Sequence, residues 1–250
     1  MASKLRLDKL LSHMGYGTRS EIKRAVKQGV VTVDGVRAKD SGMQIDPDAQ
    51  AVEWEGERVV YREVIYLMLN KPQGVISATE DARERTVLDL LDANDRVLNP
   101  FPVGRLDKDT EGLLLLTNDG KLAHDLLSPR KHVDKTYEAI VRGQVGETDR
   151  LAFLAGVELD DGYVTMPAAL TVLNVETAEG QPPQSTIRLT IQEGKFHQVK
   201  RMFEAVGHKV TYLKRVSMGT LQLDPGLALG EYRELTAEEL EQLQERKGSE

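Results

Sequence analysis

Apolar residues near the start of the chain recur with helical spacing. Leu7, Leu10, Leu11 and Met14 fall at i, i+3, i+4 and i+7, one helix face, and Gly15 and Gly17 end the run. Thr18-Arg-Ser-Glu21 has capping-box spacing and opens a second helix, with Ile22, Ala25 and Val26 set to bury and Gly29 to stop it. Val30–Val33 and Val36 flank Asp34-Gly35, a pair suited to the positive φ values of a tight hairpin. Beyond the acidic stretch Glu53–Glu63 the pattern changes. Val64–Leu69 and Leu113–Thr117 are apolar runs of the kind found in buried strands. Thr86–Leu91 predicts a short helix, Asn118-Asp-Gly120 a turn, Lys121–Leu127 a helical turn or two, and Tyr137–Val141 a strand. Ile187, Leu189 and Ile191 alternate on one face of a strand over Thr186–Ile191. Val199, Met202, Phe203 and Val206 return to helical spacing, closed by Gly207, and Thr236-Ala-Glu-Glu239 is a second capping box ahead of an acidic C-terminal helix. Strands and short helices follow one another without a regular βαβ repeat. The pattern predicts an α+β fold whose core is a mixed or antiparallel sheet flanked by helices. Three segments are expected: a small domain over 1–60, the core over 61–235, and an acidic helix or tail over 236–250.

Composition narrows the function classes. The chain has 250 residues, 40% of them apolar, enough for a substantial core. It has no Cys, which excludes disulfides, thiol nucleophiles, Cys-ligated zinc and iron–sulfur clusters. The longest apolar run, Val64–Leu69, is far too short to span a membrane. The opening MASKLRLDKL is broken by charges and has no apolar signal core, so a soluble cytoplasmic protein with no membrane partner is expected.

The formal charge of −7 would ordinarily argue against a nucleic-acid partner, but it is unevenly spread. Met1–Ile45 holds nine basic and four acidic residues, and Gly194–Arg215 six basic and one acidic. Each is an island of +5, which leaves −17 for the remainder. In the first island Arg19, Lys23 and Lys27 form an i, i+4, i+8 stripe, and Arg6, Lys9 and His13 lie off the apolar face of the first helix. A stripe of one sign repels itself unless a polyanion binds it. By charge alone it is either a solvated face or a binding one.

Two stretches carry candidate chemistry. In FPVGRLDKDTEGLLLLTNDG the acids Asp107, Asp109 and Glu111 alternate in a glycine-flanked loop ahead of an apolar strand. The opening D-x-D-x-E-G resembles a calcium loop, but the twelfth position is Asn118, which has no carboxylate, and a strand-like run stands where the exiting helix belongs. No metal site is expected. The loop is then either a solvated turn or the support of a carboxylate presented as nucleophile or base at a strand end. In Glu193–Arg215, His197, Lys200, Arg201 and Glu204 form a second face of the predicted helix. Lys200 and Arg201 therefore project near its N-terminus, able to hold a carboxylate ionised or to bind phosphate.

Gly104-Arg-Leu-Asp107 followed by Asp109-Thr-Glu-Gly112-Leu-Leu resembles the active-site motif of ribosomal pseudouridine synthases. Asn70-Lys-Pro-Gln-Gly74, Lys135-Thr-Tyr137 and Gly194-Lys-Phe-His-Gln-Val-Lys-Arg-Met-Phe203 resemble the family's upstream, middle and downstream motifs, in order. RLDKLLSHMGYGTRSEIKRAVKQGVVTVDG resembles an S4 RNA-binding domain, and the His-Gln-Val-Lys-Arg-Met wording is most similar to the small-subunit (16S) rRNA enzymes. The resemblance implies an S4-like domain ahead of a pseudouridine synthase core. It implies that Asp107 is the catalytic aspartate, that Tyr137 packs against the target base and that Lys200 pairs with the aspartate. Arg201 is a second candidate for that pairing or for phosphate, and Arg105 helps position a flipped nucleotide. Arg6, Lys9, Arg19, Lys23, Arg24, Lys27, Lys71 and Arg201 are the expected RNA contacts. The implied partner is rRNA, 16S by wording, free or in a ribosomal assembly intermediate, with a monomeric enzyme. A 23S rRNA enzyme and a non-catalytic RNA-binding assembly factor are the alternatives. The isomerisation is redox-neutral, and the chain has no phosphate-binding G-x-x-x-x-G-K-[ST] loop and no convincing G-x-G-x-x-G, so no cofactor and no nucleotide are expected.

Overall fold

The computed structural model describes residues 4–245. The chain divides into two compact units, the first comprising the chain up to Ile65 together with Leu91–Pro100, the second the remainder. The division falls between Ile65 and Tyr66, and the return of Leu91–Pro100 to the first unit is something no local pattern predicts.

The first unit runs β1 (Leu5–Arg6), α1 (Leu7–His13), α2 (Arg19–Gln28), β2 (Val31–Val33), β3 (Val36–Arg37), β4 (Gln44–Ile45), β5 (Val52–Trp54) and β6 (Glu57–Arg58). Strands in the order β3-β2-β5-β6 form one antiparallel sheet, and β1 pairs with β4. The capping box closes as the spacing requires: Thr18 Oγ1 accepts the Glu21 N–H and the Glu21 carboxylate accepts the Thr18 N–H. Gly29 ends α2 in the left-handed conformation, at φ 77°. Asp34 and Gly35 both have positive φ, 51° and 75°, which turns β2 into β3 with the twist a two-residue hairpin needs. Leu7, Leu10, Leu11, Ile22, Val26, Val31 and Ile45 form the core. The helix α3 (Ala93–Arg96) lies in the returning segment, where Arg62 Nη2 donates to Asp95 Oδ1 at 2.8 Å.

The second unit contains β7 (Tyr66–Lys71), a 3₁₀ turn over Val87–Leu90, β8 (Phe101–Pro102), β9 (Glu111–Thr117), α4 (Gly120–Leu127) and β10 (Lys135–Arg142). It continues with α5 (Glu147–Ala155), β11 (Ala169–Glu176), β12 (Gln184–Ile191), α6 (Gln198–Ala205), β13 (Lys209–Met218), β14 (Leu221–Gln222), β15 (Tyr232–Glu234) and α7 (Ala237–Glu245). Its sheet has the order β11-β12-β10-β13-β9-β7-β15, with β14 on β13 and β8 on β9. Every pairing is antiparallel except β9 with β13, which sets Lys214 beside Glu111 and Arg215 beside Gly112. The sheet is therefore mixed, and its one parallel contact begins where the acidic loop ends.

Several elements differ from their sequence reading. Asn118-Asp-Gly120 is a helix start rather than a free turn, because Asp119 Oδ1 accepts the N–H groups of Lys121 and Leu122 at 3.0 and 2.9 Å. The strands β11 and β13 and the helix α5 have no counterpart in that reading. On β13 the buried positions Leu213, Arg215 and Ser217 include a charge, which hides the alternation. The C-terminal helix packs into the core: Leu243 is buried in a cluster with Leu122, Leu126 and Leu221. The second capping box forms between Thr236 and Glu239, and residues 246–250 of the expected tail lie outside the described residues. Among the described residues no helix is long and apolar enough to cross a membrane, and no group of three or more His, Asp or Glu side chains is placed to hold a metal ion.

Candidate active site

The loop between β8 and β9 is held from beneath by Lys71, the last residue of β7. Its side chain is fully buried, and Nζ donates to the carbonyl oxygens of Asp107, Thr110 and Pro72 at 3.0, 2.9 and 3.1 Å. Burial pushes the Lys71 ammonium down to about 8, against the opposing pull of Asp107, Asp109 and Glu111. Ser77 clamps the neighbouring residue by donating to the Leu106 carbonyl and accepting its N–H, at 2.9 and 3.0 Å. The expectation that Lys71 contacts RNA is corrected: with no exposed surface it cannot touch RNA, and its role is to shape the loop.

The three acids of the loop have separate partners. Asp107 Oδ2 accepts from Lys200 Nζ at 3.1 Å, and His197 Nε2 lies 3.6 Å from Asp107 Oδ1. The Asp107 side chain remains 28% exposed, open to a ligand on one side. Asp109 Oδ1 takes the same ammonium at 2.6 Å, and this contact holds its carboxyl below the usual range. Glu111 is occupied by Tyr212, whose hydroxyl donates to Oε2 at 2.7 Å; burial and this bond push the tyrosine up. Burial alone would lower Lys200, but its hydrogen bonds to Asp109 and Asp107 outweigh that and raise it.

Lys200 is aimed by α6 and by the loop ahead of it. Buried Glu193 accepts from the Tyr163 hydroxyl at 2.6 Å, the Met166 N–H at 2.9 Å and Gln198 Nε2 at 2.7 Å. Gln198 Oε1 in turn accepts the Lys195 N–H at 2.8 Å. Val199, Met202 and Phe203 fill the core side of the helix. Arg201 does not join Lys200 at Asp107. Consecutive helix residues point about 100° apart, and Arg201 is engaged by Asp160, at 2.6 Å from Nε, and by Asp161, at 2.7 Å from Nη2. Of the two candidates for the contact with Asp107, Lys200 makes it and Arg201 does not.

Arg105, Asp107, Tyr137, Lys195 and His197 line one cleft, with Leu106, Ile191, Val199 and Leu213 as its apolar wall. Tyr137, on β10, is 8% exposed there. Arg105 is exposed, and its guanidinium has no hydrogen-bond partner among the described residues. In the first unit Arg6, Lys9, Arg19, Lys23, Arg24 and Lys27 are all exposed, and Arg6 also forms a two-point contact with Asp8 at 3.0 and 2.6 Å. The sequence reading missed Ser77, Glu193, Gln198 and Arg215. Arg215 is buried, with Nε donating to the Leu113 carbonyl at 2.8 Å. Polar residues that serve main-chain groups leave no periodic signal; for Glu193 the one available hint was its place at the head of the downstream motif.

The cleft presents a carboxylate held by an ammonium beside an imidazole, an aromatic wall and a free guanidinium. That set suits a planar ring attached to a group that develops positive charge, next to an anion. Comparison with known proteins agrees. A family model described as RNA pseudouridylate synthase matches residues 65–205, and an S4 domain model matches residues 5–50. The protein called uncharacterized RNA pseudouridine synthase YtzG of Bacillus subtilis is 56% identical over 96% of this chain and 99% of its own. A ribosomal small subunit pseudouridine synthase A of Vibrio vulnificus is 39% identical over 95% of this chain and 98% of its own. A ribosomal large subunit pseudouridine synthase B of Bacillus subtilis is 40% identical over 95% of each. A crystal structure of a pseudouridylate synthase aligns with a TM-score of 0.65 at 37% identity, over 96% of this chain and 99% of that one.

Proposed function

The chain belongs to the RNA pseudouridylate synthase family, and from that premise we propose that it converts a specific uridine of 16S rRNA to pseudouridine at the Asp107 cleft. The observation that carries this reading is the Asp107 carboxylate, open to the cleft and held by Lys200 at 3.1 Å beside the Tyr137 ring. The reaction breaks the N1–C1′ bond, turns the base, and joins C5 to C1′; the proton on C5 leaves and N1 gains one. As the base detaches, positive character grows on the sugar, and a fixed carboxylate at that position stabilises it. Lys200 keeps the carboxylate oriented. Tyr137 offers a stacking face that offsets part of the cost of drawing the uridine out of its stack. Arg105 meets the adjacent phosphate. The S4 domain docks the RNA through Lys9, Arg19, Lys23, Arg24 and Lys27 by phosphate contact.

A second reading, action on 23S rRNA, is favoured by the 40% identity to the large-subunit relative. The two are separated by treating unmodified 16S and 23S transcripts with wild type and Asp107→Asn and mapping pseudouridine by carbodiimide block to primer extension. The expected result is one stop in 16S rRNA, reduced at least about a thousandfold in rate by Asp107→Asn. A stop confined to 23S rRNA would establish the second reading, and equal rates from both proteins would remove Asp107 from the chemistry.

A further inference from the structure

Phe196 is the most exposed large apolar side chain among the described residues, at 75%. It lies between Lys195 and His197, both of which line the Asp107 cleft. Its ring stacks on the His197 imidazole, with centroids 3.8 Å apart and planes 18° from parallel. One aromatic face is covered by His197 and the other is left to solvent. The loop that holds this pair is tied down on both sides. Lys195 Nζ sits over the Tyr163 ring at 4.4 Å, and its N–H is taken by Gln198. Arg201 Nη1 donates to the Phe196 carbonyl at 3.3 Å, and His197 adopts a left-handed backbone, φ 48°, which is costly for a residue other than glycine. A strained, anchored loop that keeps an aromatic ring in water is explained by a partner that covers the ring.

The surroundings select that partner. The cations left to a ligand beside it are Arg105 and Lys195, since Lys200 is taken by Asp107 and Asp109, and the cleft beside it takes one nucleotide against Tyr137. The strand that delivers a uridine to Asp107 must continue past the rim. We propose that the Phe196–His197 stack is a platform for the nucleobase adjacent to the target uridine, and that it holds the RNA in the conformation in which the uridine is turned out. This rests on the reading of the Asp107 cleft as the uridine site. Stacking on an aromatic face tolerates any base, so the platform supplies grip and geometry rather than sequence readout.

The test uses the full-length protein with Phe196→Ala, Phe196→Tyr and Phe196→Trp. Rates are measured on whichever of the 16S and 23S transcripts the wild type modifies. A synthetic stem-loop spanning the modified site then carries 2-aminopurine immediately 5′ or 3′ of the uridine. Phe196→Ala should lower kcat/KM about 10- to 100-fold, with Tyr and Trp restoring most of it and the thermal midpoint unchanged. One of the two 2-aminopurine probes should be quenched on binding wild type, and the Phe196→Ala protein should lose that quenching. Wild-type turnover undiminished by Phe196→Ala, a loss that neither Tyr nor Trp restores, or quenching independent of Phe196 would overturn the platform alone. Wild-type protein that forms no pseudouridine in either RNA would overturn the reading of the cleft and the platform with it.

Discussion

Lys71 shows how much one buried residue can set. Three main-chain carbonyls, including that of Asp107, point at its ammonium, and without it each would lose that donor, the Thr110 carbonyl in a buried place and that of Asp107 keeping only the Thr110 N–H. Lys71→Met should therefore destabilise the protein by about 3 kcal/mol or more and loosen the loop that presents Asp107, read by denaturant unfolding and by turnover. The pH dependence has a definite sign. Burial lowers the native pKa from 10.5 to about 8, so between those values the unfolded chain holds a proton that the native protein has released. Stability from this group rises with pH across that window. The difference between wild type and Lys71→Met should grow by about 1 kcal/mol from about pH 7 to pH 9; a flat difference would mean that the native ammonium titrates normally. Asp107, Lys200 and Tyr137 were legible in the sequence as candidates. The inward course of Lys71 was not, because a lysine beside a proline looks the same in sequence whether its amine faces carbonyls or water.

At the scale of elements, the parallel contact of β9 and β13 rests on a glycine. Gly112 has φ 104°, and a Cβ there would overlap the carbonyl oxygen of Arg215 on the neighbouring strand. Gly112→Ala should cost more than about 3 kcal/mol, lowering the thermal midpoint and disturbing the acidic loop that ends there. Gly120 has open space at its Cβ position and no positive φ, at the start of α4, so Gly120→Ala should leave the midpoint unchanged or raise it slightly. Equal behaviour of the two variants would deny the close approach. Element starts and stops were readable where a single residue type carries them, as at Thr18, Gly29, Asp34-Gly35 and Thr236. Edge strand β11, with most of its positions open to solvent, and β13, with a charge on its buried face, offered no clean alternation to read.

At the scale of the molecule the informative quantity is where charge sits. The net −7 conceals a basic N-terminal island whose Arg19, Lys23 and Lys27 are exposed on α2. Replacing these three with Gln should weaken rRNA binding and flatten its salt dependence, by roughly 0.7–0.9 in log–log slope for each phosphate that is no longer neutralised. Filter binding between about 50 and 200 mM salt measures this, and a slope equal to that of wild type would place the RNA on another surface. The unit's core should be untouched, since Leu7, Leu11 and Ile22 lie on the opposite, buried faces.

What the chain determined by itself was local or additive: helix caps, the hairpin turn, the buried strands, the ordered motifs and the charge islands. These follow from backbone sterics, side-chain periodicity and composition over a few neighbouring residues. Tertiary structure decided the rest. It shared Lys200 between Asp107 and Asp109, gave Glu111 to Tyr212 and Arg201 to Asp160 and Asp161, turned Lys71 inward and brought α7 into the core. Each of those choices depends on the register of strands remote in sequence, such as Arg215 beside Gly112, and on which polar groups burial leaves to find one another, and neither is written within reach of a local pattern.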